Sequence, residues 1–135
     1  MEDAYITGSE HTPPEPGKIS QLTNELIVHL HSNWDQYNTF ELAAYALWRL
    51  VWIHPFEDGN GRTARALSYL VICLKEKTLL FGSRSYLSFI REDYAQVYID
   101  LIRHADRSFS EGKLDIMPLA EFLAEIVALQ LESKP

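Results

Sequence analysis

The sequence predicts an all-α protein built as a single helical bundle, with a small β-hairpin at its N-terminus. Five segments carry apolar residues at the spacing of an amphipathic helix, and nowhere do strands and helices alternate as a parallel sheet requires. The chain has 135 residues, of which 47% are hydrophobic and 12% aromatic, enough for one packed core. We therefore expect one domain, with the hairpin in residues 1–17 and a helical core in residues 18–135.

The first two predicted helices precede residue 54. One face of the first collects the apolar side chains Ile19, Leu22, Leu26, Ile27 and Leu30. Asn38 and Glu41 have the spacing of a capping box, so the second helix should begin at residue 39. Residues 39–53 are apolar nearly all round, which is typical of a helix at the centre of a bundle, and Pro55 cannot continue that helix.

Three further helices are predicted after the second. They should occupy residues 61–77, residues 89–105 and a segment that starts at Pro118, a residue suited to a first turn. The buried stripe of the last helix is expected to consist of Leu119, Phe122, Leu123, Ile126 and Val127.

The N-terminal hairpin is predicted from two short segments, residues 4–7 and 11–13, around a turn at residues 8–10. Pro13, Pro14 and Pro16 confine such a hairpin to an exposed edge because proline cannot donate to a sheet. A flexible terminus is the alternative interpretation of the same residues.

Charge and cysteine content exclude several classes of protein. The net charge of −7 argues against a nucleic-acid coat or a basic membrane patch. A single cysteine rules out a disulfide framework and a cysteine-based zinc site. The sequence begins without a secretory leader pattern, and no apolar run approaches the roughly 20 residues that span a bilayer, so we expect a cytoplasmic protein.

The densest group of chemically useful side chains lies in residues 54–65, between the second and third predicted helices. Gly59 and Gly61 can adopt positive φ and expose their N–H groups, and the start of a helix adds further donors and the positive end of its dipole. Arg62 and Arg65 are three residues apart and can both bind phosphate oxygens, while Asn60 can donate to such an oxygen or cap the helix. This pattern predicts an anion site.

Two other residues of this segment suggest chemistry beside a bound anion. A carboxylate at Asp58 would repel phosphate unless a cation such as Mg²⁺ bridged the two. A histidine titrates near neutral pH, so His54 is a candidate general base. Taken singly, each residue has an ordinary structural explanation as a cap, a turn or a solvated helix face, and Phe56 is expected to anchor the loop in the core.

The run from His54 to Arg65 resembles the motif of the Fic family, His-x-Phe-x-(Asp/Glu)-Gly-Asn-Gly-Arg-x-x-Arg, at every specified position. The resemblance implies a Fic-type helical bundle and a protein adenylyltransferase that transfers AMP from ATP to a Tyr, Thr or Ser hydroxyl of a target protein. It implies His54 as catalytic base and Asp58 as the Mg²⁺ ligand. The phosphate-binding residues it implies are Gly59, Asn60, Gly61, Arg62 and Arg65.

The same resemblance assigns residues upstream of the helices to a flap that docks the target as an added strand, with Tyr5, Ile6 and Thr7 as candidate contacts. Gly61 favours nucleotide transfer, because the phosphorylating Doc branch has lysine at this position. Transfer of UMP, GMP, phosphocholine or phosphate stays open, as does a module that docks peptides without chemistry. The family's inhibitory sequence, (Ser/Thr)-x-x-x-Glu-(Gly/Asn), has no convincing match here, so inhibition is expected from a separate protein or from sequence outside this chain.

Overall fold

The structure is a computed structural model that describes residues 11–133. Helices α1 (Ile19–Ser32), α2 (Thr39–Ile53) and α3 (Asn60–Glu76) are followed by a short α4 (Tyr86–Ser88), α5 (Ala95–Ser110) and α6 (Met117–Glu132). A 3₁₀ turn, Pro16–Lys18, precedes α1, and a π-helical turn, Phe89–Asp93, follows α4. Residues 11–133 contain no strand, so the all-α prediction is confirmed for this part of the chain.

Helix α2 is the centre of the bundle and packs against α1, α3, α5 and α6. Its N-terminus is capped as predicted, because the Asn38 side chain accepts a hydrogen bond of 2.9 Å from the N–H of Glu41. Buried side chains lie on several faces of α2, which explains why nearly all of its residues are apolar. Inside the core, the indole N–H of Trp48 donates to the carboxylate of Asp106 at 2.9 Å and so joins α2 to α5.

The predicted bounds of the second and third helices agree with the structure to within about one residue, and α6 begins one residue before the predicted start at Pro118. Ile27 is an exception to the predicted stripe of α1, because 54% of it is exposed, whereas Leu26 and Leu30 are buried. The prediction of one helix over residues 89–105 is wrong. Tyr94 has φ −124° and ψ 23°, and its N–H donates to the carbonyl of Phe89, five residues back, so the helix proper restarts at Ala95.

The predicted hairpin stays a prediction. Tyr5, Ile6 and Thr7 lie in residues 1–10, outside the described part of the chain, and residues 11–15 have no regular secondary structure. The ring of His11 nevertheless has a defined place, stacked on Trp52 with 4.5 Å between ring centroids. Its Nε2 also lies 2.9 Å from the carbonyl oxygen of Trp52, so residue 11 contacts the last turn of α2.

The segment between α3 and α5 is held in place from the other end of the chain. The Gln130 side chain in α6 donates to the carbonyl of Leu80 and accepts from the N–H of Tyr86. The hydroxyl of Ser133 accepts from the N–H of Arg84 at 3.2 Å. Tyr86 is fully buried, and its hydroxyl lies 2.9 Å from that of Ser68 in α3. This segment forms one wall of the cleft described below.

None of the helices within residues 11–133 combines the length and apolar character that a bilayer crossing would require.

Candidate active site

His54 terminates α2 and turns the chain toward α3. Its backbone is left-handed, with φ 54° and ψ 58°, while its N–H completes the helix by donating to Leu50 at 2.9 Å. Pro55 accounts for this break, because a residue that precedes proline is disfavoured in the right-handed helical conformation. The half-buried imidazole is thereby positioned at the junction of the two helices.

Asn60 fixes the shape of the loop between α2 and α3. Its side-chain oxygen accepts from the N–H of Phe56 at 2.8 Å, and its side-chain nitrogen donates to the carbonyl of the same residue at 2.7 Å. Only 1% of Asn60 is exposed. The amide therefore holds the loop through both of its polar ends, a role that sequence reasoning missed, and its predicted contact with phosphate stays a prediction.

The prediction that Phe56 anchors the loop in the core is wrong, since 48% of the residue is exposed. The backbone of Phe56, through its two hydrogen bonds to Asn60, is what attaches this part of the loop. Glu57 and Asp58 follow it on the surface.

The two glycines of the loop have different backbone conformations. Gly59 is the N-cap of α3 and has φ 87°, as predicted, and its carbonyl accepts the first helical hydrogen bond from Thr63 at 2.9 Å. The expectation of positive φ is not met at Gly61, which is the second residue of α3. There its N–H group, like that of Arg62, has no acceptor inside the helix, because the first N–H groups of any α-helix lack one. The predicted start of a helix at this position is thus confirmed, and anion binding there stays a prediction.

The two arginines of the motif occupy different environments. Arg62 extends into solvent, with 59% of its side chain exposed, and its guanidinium lies 3.8 Å from the carboxylate of Asp58. Arg65 is 7% exposed, and its guanidinium lies 5.9 Å from the centre of the Tyr98 ring. The Arg62 side chain is therefore exposed, whereas Arg65 is buried against the neighbouring helices.

Asp58 is the residue that could hold a divalent cation at this site. Three-quarters of its side chain is exposed, so its oxygens can reach a ligand, and residues 11–133 contain no group of three or more His, Cys, Asp or Glu side chains arranged for a metal. Mg²⁺ is commonly bound by one or two carboxylates together with substrate phosphates and water. An exposed carboxylate one residue before the N-cap of α3 fits that mode of binding.

A cleft of about 440 Å³ adjoins the two arginines. Residues of α3 form one side of it, and residues 85–92 form the other. Its lining consists of Arg62, Arg65, Ala66, Ser85, Leu87, Ser88, Arg91 and Glu92. None of the residues on the second side was predicted as a site residue, because they lie 20 or more positions beyond the motif.

Comparisons with known proteins agree with this geometry. The sequence model of the Fic/DOC family matches residues 2–72, more than half of the chain. The chain therefore belongs to the Fic/DOC family, as the motif predicted.

Several relatives carry the name protein adenylyltransferase Fic. The Aedes aegypti protein is 34% identical over 129 residues, which make up 95% of this chain and 23% of that protein. The Culex quinquefasciatus protein is 33% identical with the same coverage of both chains. The Nematostella vectensis protein is 40% identical over 65 residues, or 47% of this chain and 15% of its own. This chain thus spans less than a quarter of the length of these relatives.

Proposed function

We propose that the protein is a protein adenylyltransferase that transfers AMP from ATP to a Tyr, Thr or Ser hydroxyl of a target protein. The observation that supports this proposal is the junction of α2 and α3. His54 ends α2, Asp58 lies in the connecting loop 3.8 Å from Arg62, and both motif arginines lie in the first turns of α3. The names of the relatives support the same activity.

The chemistry assigns one task to each residue. His54 takes the proton from the target hydroxyl, whose oxygen attacks the α-phosphorus in line and breaks its bond to the β-phosphate oxygen, so that pyrophosphate leaves. Asp58 would hold Mg²⁺, which neutralises phosphate charge and polarises the phosphoryl oxygens. Gly59, Gly61 and the start of α3 supply N–H donors, and Arg62 and Arg65 bind the β/γ end of the nucleotide. Catalysis then depends mainly on positioning and charge neutralisation.

The target protein is proposed to dock on the flap, with Tyr5, Ile6 and Thr7 offering backbone hydrogen bonds to an extended segment. The contact of His11 with Trp52 supports this arrangement, because it attaches the residues that follow the flap to the helix that carries His54. The partners are thus ATP and a target protein, and an inhibitory protein that binds this domain belongs to the same proposal.

Incubation with a cell lysate and ATP labelled in the α-phosphate tests the activity. Labelled protein bands should appear with the wild-type protein, and the His54→Ala variant should reduce them by about 10²–10⁴-fold, the usual contribution of a positioned base. His54→Asn serves as a matched control, because asparagine tolerates the left-handed backbone of residue 54 while lacking the basic imidazole.

Both variants should lose the bands, and bands as strong as those of the wild-type protein in either variant would refute the assignment of the base. Label transferred from the γ- but not the α-phosphate would identify a kinase and contradict the proposal. Calorimetry that detects no nucleotide binding, with or without Mg²⁺, would instead favour a peptide-docking module without chemistry.

A further inference from the structure

The cleft beside α3 holds an arginine that the motif does not include. Arg91 lies in the π-helical turn Phe89–Asp93 and faces Arg62 and Arg65 across the cleft of about 440 Å³. Three arginines and one glutamate are therefore the charged residues of the lining. A cleft lined by more positive than negative side chains favours an anionic ligand.

The carboxylates next to Arg91 are already bound by another arginine. Arg84 forms two hydrogen bonds to Asp93, of 2.6 and 2.9 Å, and one of 3.3 Å to Glu92. The hydroxyl of Ser88 donates to the second oxygen of Glu92 at 3.0 Å. The hydrogen bond from Arg84 holds the pKa of the Asp93 carboxyl below its usual value. Both acids of this turn thus face Arg84.

Because Glu92 and Asp93 are bound by Arg84, neither forms an ion pair with Arg91. Arg91 is exposed, and no carboxylate among residues 11–133 lies within ion-pair distance of its guanidinium. Ala66 of α3 lines the same cleft and is also exposed.

The position of the cleft indicates which part of the nucleotide reaches it. His54, where the reacting α-phosphorus must lie, is not among the residues that line the cleft, whereas Arg62 and Arg65 are. A triphosphate that starts at His54 and passes the two arginines would therefore enter the cleft with the phosphate farthest from the reaction. The opposite end of the nucleotide, its nucleoside, is uncharged and gains little from three guanidinium groups.

We propose that Arg91 binds the terminal phosphate of the nucleoside triphosphate and so makes the site selective for a triphosphate over a diphosphate. This inference rests on the proposed function. Its role is that of a specificity-determining residue, because Arg91 touches the end of the leaving group and lies away from the base.

Calorimetric titration of the Mg²⁺ complexes of ATP and ADP tests the inference. Arg91→Gln should weaken ATP binding by about tenfold, the usual scale for a lost charge-assisted hydrogen bond, and leave ADP binding unchanged. Arg107→Gln is the matched control, because Arg107 is an exposed arginine of α5 that does not line the cleft, and neither affinity should change. Arg91→Lys, which keeps the charge but not the planar fork, should fall between wild type and Arg91→Gln.

A second pair of variants changes Ala66, a residue of α3 that lines the cleft. Ala66→Glu places a carboxylate opposite Arg91 and should weaken ATP binding more than ADP binding, whereas Ala66→Gln, of similar size and no charge, should not. Thermal unfolding of each variant, expected to match wild type because both positions are exposed, checks that the fold is intact.

The outcomes separate this inference from the proposed function. If the wild-type protein binds no nucleotide, both are overturned. If it binds ATP but Arg91→Gln lowers ATP and ADP affinity equally, or changes neither, only the role of Arg91 is overturned. An increase in the KM for the target protein at unchanged ATP affinity would also overturn it, since the cleft would then hold an acidic group of the target.

Discussion

Asp58 and Asn60 are separated only by Gly59, yet their environments are opposite. The side chain of Asp58 is 75% exposed and 3.8 Å from Arg62, an arginine that is itself mostly in solvent. Asn60 is 1% exposed and forms hydrogen bonds of 2.8 and 2.7 Å to the backbone of Phe56. The comparison separates two tasks within one short loop. Buried Asn60 determines the shape of the loop, and exposed Asp58 is available to a ligand.

This division has a physical reason. A backbone N–H and carbonyl in a buried turn need partners, and an amide side chain offers one acceptor and two donors in a fixed plane. A metal ligand needs the reverse, because its oxygens must be able to leave water for a cation when the substrate arrives. The shape of the loop is therefore held by hydrogen bonds within the chain, while the Asp58 side chain stays exposed.

The largest effect is expected from Asp58→Asn, which should lower AMP transfer by about 10²-fold or more, since a bound metal contributes several kcal/mol to charge stabilisation. The free energy of unfolding should change by less than about 0.5 kcal/mol, because exposed ion pairs contribute little. Mg²⁺ titrations of the transfer rate, alongside denaturant unfolding, measure both quantities. A large loss of stability would contradict the assignment of Asp58 to ligand binding alone.

Unlike Asp58→Asn, the Asn60→Ala variant should be clearly less stable than the wild-type protein. Loss of both hydrogen bonds leaves the partly buried N–H and carbonyl of Phe56 without their partner and opens space at the buried Asn60, so the free energy of unfolding should fall by about 2–3 kcal/mol. Urea unfolding measures this change, and nucleotide binding should weaken in parallel because the loop loses its shape. A free energy of unfolding equal to that of the wild-type protein would contradict the role of Asn60 in holding the loop.

Gly59→Ala should give the smallest change of the three. A side chain at φ 87° is strained, and the added Cβ would lie 3.2 Å from Nη2 of Arg62, a flexible side-chain end that can move aside. We expect a loss of about 1 kcal/mol in stability and a modest weakening of ATP binding through the displaced arginine. Gly17→Ala is the control, because a Cβ there meets nothing within 4 Å and φ is not in the left-handed range. Equal effects at both positions would contradict this explanation.

Local sequence patterns were sufficient for most of the bundle. The capping pair Asn38 and Glu41 and the break at Pro55 defined α2, and the motif placed the start of α3 within one residue. These features succeed because caps and proline act within a few residues of the position they determine. The restart at Ala95 was missed because the π-helical turn before it depends on an i to i+5 hydrogen bond that no residue type specifies.

At the candidate site, the motif predicted which elements carry the residues, and their roles in binding and catalysis stay predictions. His54 ends α2, Asp58 lies in the loop, and Arg62 and Arg65 lie in α3. Asn60 was interpreted as a ligand contact because an amide is ambiguous in sequence, and only its burial shows the bonds to Phe56. Arg91 could not be found at all, because its proximity to the motif arises from the packing of α4 against α3.

The fixed placement of residues 80–86 bears on how short a functional version of this domain can be. A Cβ on Gly82 would lie 2.0 Å from the carbonyl oxygen of Gln130, so the connection after α3 lies directly against the last helix. The family match ends at residue 72, whereas the hydrogen bonds that hold the far wall of the cleft come from Gln130 and Ser133. A fragment that ended soon after the motif would keep all the motif residues but lose the opposite side of the cleft. Deletion of the last turns of α6 should likewise weaken nucleotide binding, although these turns do not line the cleft.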